Sequence, residues 1–294
     1  MNRKLLAAIS VILIFSFLFA FTGCSGTSNT ESTTTTTVFV KTPLPTDITT
    51  SVDDESQVVT DTTYTPEMLR ANTATIFEYF NLHINEVKNA TANVKMSQKK
   101  SIGKAKDAEG NDIAMSDNEY INSAIKTLDS YMLHNDGAEL AYGEDLTAFM
   151  PVKGANYVSA LTLDDIESAT CVDEGTQRTI TLTLKSPSLP ETIEKAYDMG
   201  NVDEVMTEFQ KAEKYLTVEK PTLEYKDCQI IIVSNIETDE VHTIKYVKNI
   251  DVKTNVTGQG SLADMGTVDV TFRYSNTVEY AIDRTAPETT SAAK

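Results

Sequence analysis

The sequence predicts an α+β fold, with helices ahead of an antiparallel sheet whose strands crowd the C-terminal end. Three observations carry that prediction. Apolar residues recur at three- and four-residue spacing between positions 66 and 87 and again between 121 and 132. From Thr222 onward, apolar and polar residues alternate through "CQIIIVSN", "EVHTIKYVKNIDVKTNV" and "TVDVTFRYSNTVEYAI", the period of strands with one buried face. Helical and strand patterns are segregated rather than alternating, which excludes a doubly wound parallel sheet.

The elements follow in order. Thr65-Pro66-Glu67 has the form of a helix start, with Thr as cap, Pro at the first helical position and an acid in the first turn. One helix carrying Leu69, Ile76, Phe77, Phe80, Ile84 and Val87 as its packing stripe is expected from there. His83 lies beside the stripe and reads as a boundary residue. "ANVKMSQKKSIG" alternates through Val94, Met96 and Ile102 as a strand. The polar run Asp107 to Asp112 has spacing similar to a calcium loop, but its Gly stands at 110 and no closing Glu follows, so an ordinary turn is expected.

Ser116-Asp117-Asn118-Glu119 reads as a capping box. It opens a helix with Ile121, Ala124, Ile125, Leu128 and Met132 on one face, ended by His134-Asn135-Asp136-Gly137. A short helical turn is expected over Thr162 to Ser168. "ATCVDEGTQRTITLTLK" then predicts a hairpin turning near Glu174-Gly175, with Ile180, Leu182 and Leu184 facing inward. A helical insert is expected near 190–215, capped around Asn201 to Glu204. Turns are expected at Glu237 to Glu240 and Gly258 to Gly260, and His242, at a strand start, reads as structural. Residues 66–284 thus form a single α+β domain, followed by a disordered tail at 285–294.

Ahead of the domain, Arg3 and Lys4 precede an apolar run of 17 residues, Leu5 to Phe21, with no charge. That is the form of a signal peptide over residues 1–23. Phe21-Thr22-Gly23-Cys24 resembles the bacterial lipobox, although its first position more often carries Leu. The resemblance implies cleavage after Gly23 and diacylglycerol on the Cys24 thiol; an uncleaved signal anchor is the alternative. Either form attaches the chain to the extracytoplasmic face of the cell membrane. Between Ser25 and Thr65, 41 residues include 15 Thr and 5 Ser, too few large apolar groups to offset the entropy of ordering. Residues 24–65 are therefore a lipid-anchored disordered linker, spanning roughly 35 Å as a coil and roughly 140 Å when taut.

Without residues 1–23, which hold two cations and no acid, the 25 basic and 43 acidic residues become 23 and 43, a net charge of −20. Such a surface repels polyanions, which excludes nucleic acid as a partner. Three histidines without metal spacing, no Gly-x-Ser-x-Gly, no phosphate-binding glycine loop and no Cys-x-x-Cys leave no catalytic, cofactor-binding or metal-ligating set. Acidic pairs at Asp164-Asp165 and Asp203-Glu204 stand at helix starts, where they complement the dipole. The chain is expected not to be an enzyme. Cys171 and Cys228 are candidates for a disulfide in an exported domain, with two buried free thiols as the alternative.

In element order the domain resembles the LolA/LppX lipoprotein carriers: helices, then an antiparallel meander. That resemblance implies a curved, half-barrel-like sheet cupping two or more helices, with a concave side able to shelter acyl chains. The insert near 190–215 and the single strand between the first helices depart from it. "YFNLHINEVKNA" and "MPVKGANYVSALTLDDIESATC" are also similar to uncharacterised lipoproteins of Gram-positive gut bacteria, which implies no activity. Two functions follow as expectations. One is an anchored lipoprotein binding a lipid or other hydrophobic ligand. The other is a surface-displayed interaction module, with an envelope protein as partner and no small-molecule site.

Overall fold

The computed structural model describes residues 64–131, 136–186, 196 and 215–286. The signal, nearly all of the linker, most of the 190–215 insert and most of the tail lie outside the described residues, as do Met132 and His134.

Nine antiparallel strands form one open, curved sheet. They are β1 (Asn93–Gly103), β2 (Asp136–Leu140), β3 (Ile166–Glu174), β4 (Gln177–Leu184), β5 (Leu216–Val218), β6 (Thr222–Tyr225), β7 (Gln229–Asn235), β8 (Val241–Gly258) and β9 (Thr267–Asp283). Their order is β2-β1-β9-β8-β7-β4-β3, with β5 and β6 also on β8. The helices are α1 (Pro66–Ala71), α2 (Thr73–Glu86), α3 (Glu119–Tyr131) and the single turn α4 (Leu146–Phe149). The predicted α+β class and half-barrel form of the sheet are therefore the observed ones.

β8 is the spine. Its 18 residues span about 60 Å at roughly 3.3 Å per residue. One edge pairs with β9 from Thr243 to Thr257. The other is covered in succession by β7, β6 and β5. Alternation divides the two faces as the sequence requires. Ile244, Tyr246, Ile250 and Val252 are buried opposite Val278, Tyr280, Phe272 and Tyr274 of β9. On the outer face, directly opposed residues match in kind. Asp251 accepts from Arg273 at 2.6 and 3.0 Å, the Ser275 hydroxyl donates to Asn249 at 2.8 Å, and the Thr257 and Thr267 hydroxyls meet at 2.8 Å. A slip of one residue would invert both faces, so this ladder fixes the register.

The expected first helix is two. Asn72 is extended (φ −162°, ψ 158°) and its Oδ1 accepts from the Thr75 N–H at 2.9 Å. A side-chain cap has replaced one backbone turn and re-aims the chain. The predicted stripe still points inward: Leu69, Phe80, Ile84 and Val87 are fully buried, with Ile76 and Phe77 nearly so. α2 packs on β3 and β4. Its C-terminal end also pins the following loop, since Asn85 Oδ1 accepts from the N–H groups of Val158 and Ser159, and Lys88 Nζ donates to the carbonyls of Val152 and Ala155.

Other boundaries shift for local reasons. Asn118, rather than Ser116, caps α3, accepting from the N–H groups of Tyr120 and Ile121. α3 then covers the stretch of β1 beyond β2, where Asp129 Oδ1 accepts from the Ile102 N–H at 2.7 Å. Gly137, expected to end a helix, lies in β2. The helical turn expected at 162–168 closes after Asp165, whose carboxylate accepts from Thr162, and β3 begins at Ile166. The run at 107–112 is a tight turn: Asp107 Oδ1 accepts from the N–H groups of Glu109 and Asn111, and Gly110 takes φ 85°.

Candidate functional site

At one pole of the sheet, α2, the β3–β4 hairpin and the β7–β8 turn bring charged and aromatic groups together beneath the surface. Tyr79 and His83, four residues apart, share one face of α2. Arg178, the second residue of β4, lies opposite Asp173 of β3 in the register. The turn supplies Asp239, a non-glycine residue at φ 55°. It is held there by Asn235, whose backbone carbonyl accepts from the Asp239 N–H at 2.8 Å and whose side chain accepts from Glu237 and Thr238.

Arg178 is 3% exposed. Its Nε and Nη2 donate to the two oxygens of Asp173 at 2.9 and 3.3 Å, and its Nη1 lies 3.5 Å from Asp239 Oδ1. The guanidinium carbon sits 5.1 Å from the centre of the Tyr79 ring. The Tyr79 hydroxyl donates to Asp239 at 2.6 Å and lies 3.4 Å from the Ser234 hydroxyl. The His83 ring is 4.2 Å from that of Tyr79; its Nδ1 is 3.9 Å from Glu86, and its buried Nε2 has no hydrogen-bond partner.

These neighbours set the ionisation. Burial, reinforced by the bond to Asp239, pushes the Tyr79 phenol up to about 12, so it remains a donor. Burial opposes the Arg178 charge, but its bonds to Asp173 and Tyr79 more than offset this and its pKa is raised. Burial lowers the pKa of His83, with Asp239 and Glu86 acting against that shift. Every acid and hydroxyl in the cluster is committed to a partner inside it. The arrangement is therefore a clasp, holding helix, hairpin and turn in one geometry.

The same turn holds both ends of the domain. Tyr64, ahead of α1, stands edge-on to Tyr79 at 5.4 Å between ring centres. After β9, Arg284 donates to Glu240 Oε1 at 3.3 Å. The turn thus holds the exit directly, through Glu240, and reaches the entry through Tyr79, which Asp239 binds and Tyr64 packs on. Beside the Glu240–Arg284 pair lies an open groove of about 480 Å³, lined by Glu240, Val241, His242, Ile282, Asp283 and Arg284 among others. Its lining carries two carboxylates and a guanidinium, which suits solvent better than an acyl chain.

Cys24 lies outside the described residues. Of the two alternatives for Cys171 and Cys228, the structure has both as free thiols, Cys171 half-buried and Cys228 buried. Cys171 pairs with Ile180, and Ile180 with Ile232, four residues beyond Cys228. β4 thus stands between the cysteines, and standard spacings put them roughly 16 Å apart. A disulfide needs at most about 6.8 Å between Cα atoms. Cys228 is instead a buried apolar side chain whose thiol burial pushes up to about 11. Among the described residues, no group of three His, Cys, Asp or Glu side chains could hold a metal ion, and no helix is long and apolar enough to cross a membrane.

A second buried charge, which alternation alone would have left on the wet face, is Asp251. It is 1% exposed beneath Arg273 and Lys226. Comparison with family models, curated proteins and solved structures finds no match to this chain.

Proposed function

We propose that this chain is a membrane-tethered display module on the extracytoplasmic face, acting through its outer surface. The observation that carries the reading is the packing of the helix-covered face of the sheet. Phe77, Phe80 and Ile84 of α2 and Ile180, Leu182, Ile230, Ile232, Ile244 and Tyr246 of the sheet are each no more than 6% exposed. Side chains of the protein itself fill the position where carriers of the similar element order shelter acyl chains. Anchoring rests on the signal-like segment, the lipobox-like 21–24 and the Thr-rich linker. Two ends leaving from one pole suit a domain held at that pole and presenting the other.

Three measurements test the reading. Intact mass spectrometry of protein extracted from membranes should give a chain beginning at a diacylglycerol-modified Cys24; retention of residues 1–23 would overturn the lipid anchor. Native mass spectrometry from mild detergent should show the domain without a stoichiometric lipid, while crosslinking on intact cells should capture an envelope partner. A lipid bound one-to-one that survives delipidation would favour a carrier of hydrophobic ligands instead.

A further inference from the structure

The clasp contains one group able to change charge in mild acid. His83 has a side chain only 11% exposed, and its Nε2 is buried with no acceptor in reach. A neutral imidazole tolerates that position; an imidazolium would carry an unbonded N–H there. The charged and titratable groups facing it come from each element packed at this pole. Tyr79 and Glu86 come from its own helix, Arg178 from β4 and Asp239 from the β7–β8 turn. Asp173 of β3 is already bound by Arg178 through both oxygens. Asp239 takes the Tyr79 hydroxyl and faces Arg178. Glu86, 62% exposed, approaches only Nδ1, at 3.9 Å, where water screens it. A proton on His83 would thus set a second cation beside Arg178, faced only by Asp239, already engaged, and by the water-screened Glu86.

We propose that His83 is an acid-sensitive latch at the root of the tether, whose protonation releases α2, and with it Tyr64 and α1, from the sheet. The sign follows from burial. The folded form binds the proton less readily than the unfolded chain, so the contribution of His83 is intact at neutral pH. It is lost as pH falls through the ordinary histidine value of about 6.5 and continues to weaken below it. Release of α2 uncovers the apolar face of β3 and β4 beneath Phe77 and Phe80, so acid would convert a closed surface into a sticky one. The latch belongs to the fold and does not depend on the proposed display role.

Amide hydrogen exchange on the full chain in detergent micelles, at pH 7.5 and 5.0 and corrected for intrinsic rates, tests this. Protection of 73–86 should fall at least tenfold at pH 5.0 relative to 243–257 in β8, and His83→Gln should abolish that difference while keeping protection at pH 7.5. Equal protection of 73–86 at both pH values, or the same loss in His83→Gln, would overturn the proposal. Should that variant fail to fold, an NMR titration of His83 in the unaltered chain decides: a midpoint below about 6.5 supports the latch and one above it refutes it.

Discussion

Replacing Arg178 with Met keeps an unbranched stem of similar length and removes the guanidinium that Asp173, Asp239 and Tyr79 share. The residue is 3% exposed, so its loss leaves Asp173, itself 15% exposed, without a counter-charge. Breaking a buried pair in this way costs about 3–5 kcal/mol, and the lost stacking on Tyr79 adds about 0.5–2. Water reaches Asp239, whose side chain is 42% exposed, so its share is discounted and a net loss of about 3 kcal/mol is expected. Urea denaturation of the full chain in detergent, followed by circular dichroism, should then show the midpoint falling by about 1–1.5 M, for a slope of about 2–3 kcal/mol/M. Arg178→Met with Asp173→Leu should recover most of this, because the stranded charge is gone. A single variant within roughly 0.3 M of the parent, or a double variant no better than the single, would refute the clasp.

Gly258→Ala should destabilise the β8–β9 hairpin, because the new Cβ would lie 2.0 Å from the Leu262 carbonyl oxygen. Overpacking against backbone costs about 1–3 kcal/mol, read as an earlier urea midpoint and faster exchange at 256–268. Asp251→Ala should cost about 2–4 kcal/mol by removing the buried carboxylate that Arg273 and Lys226 share and leaving Arg273 only the exposed Asp227, with little dependence on salt. The exposed pair Lys95–Glu139, both more than two-thirds accessible, should be removable without a measurable change in melting temperature. Thiol counting in denaturant without reductant should find Cys171 and Cys228 both free. In the folded protein Cys228 should resist alkylation even at pH 9, since its thiol lies at about 11.

Alternation made the sheet legible in advance, because β4, β8 and β9 each bury one face along most of their length, with Asp251 the chief exception on β8. The helical stripe was equally plain, but the break at Asn72 was not. Asparagine within an apolar repeat reads as a tolerated surface residue until its side chain is seen capping the next turn. β2 and β5 are three to five residues long and have strand character only because β1 and β8 offer them an edge. The cysteines misled for a related reason. Cys171 lies within β3 and Cys228 just ahead of β7, but strand order depends on long-range pairing that local pattern does not contain.

The clasp was hidden for the same physical reason, and its signal lay in two small anomalies. Tyr79 sits within the apolar stripe of α2, where its hydroxyl had to find a partner, and Arg178 alternates inward on a strand whose neighbouring inward positions are Ile and Leu. Those groups can be buried only if they meet one another, and the β7–β8 turn supplies the acceptor that completes them. Because that turn also binds Arg284 through Glu240, the entry and exit of the chain are tied to one point. β8 and β9 run from that point for about 60 Å, so a tether pulling on Tyr64 loads the clasp first and the far hairpin at Gly258 to Thr267 last. On the proposed anchor, the far hairpin is therefore the part of the domain most insulated from the membrane.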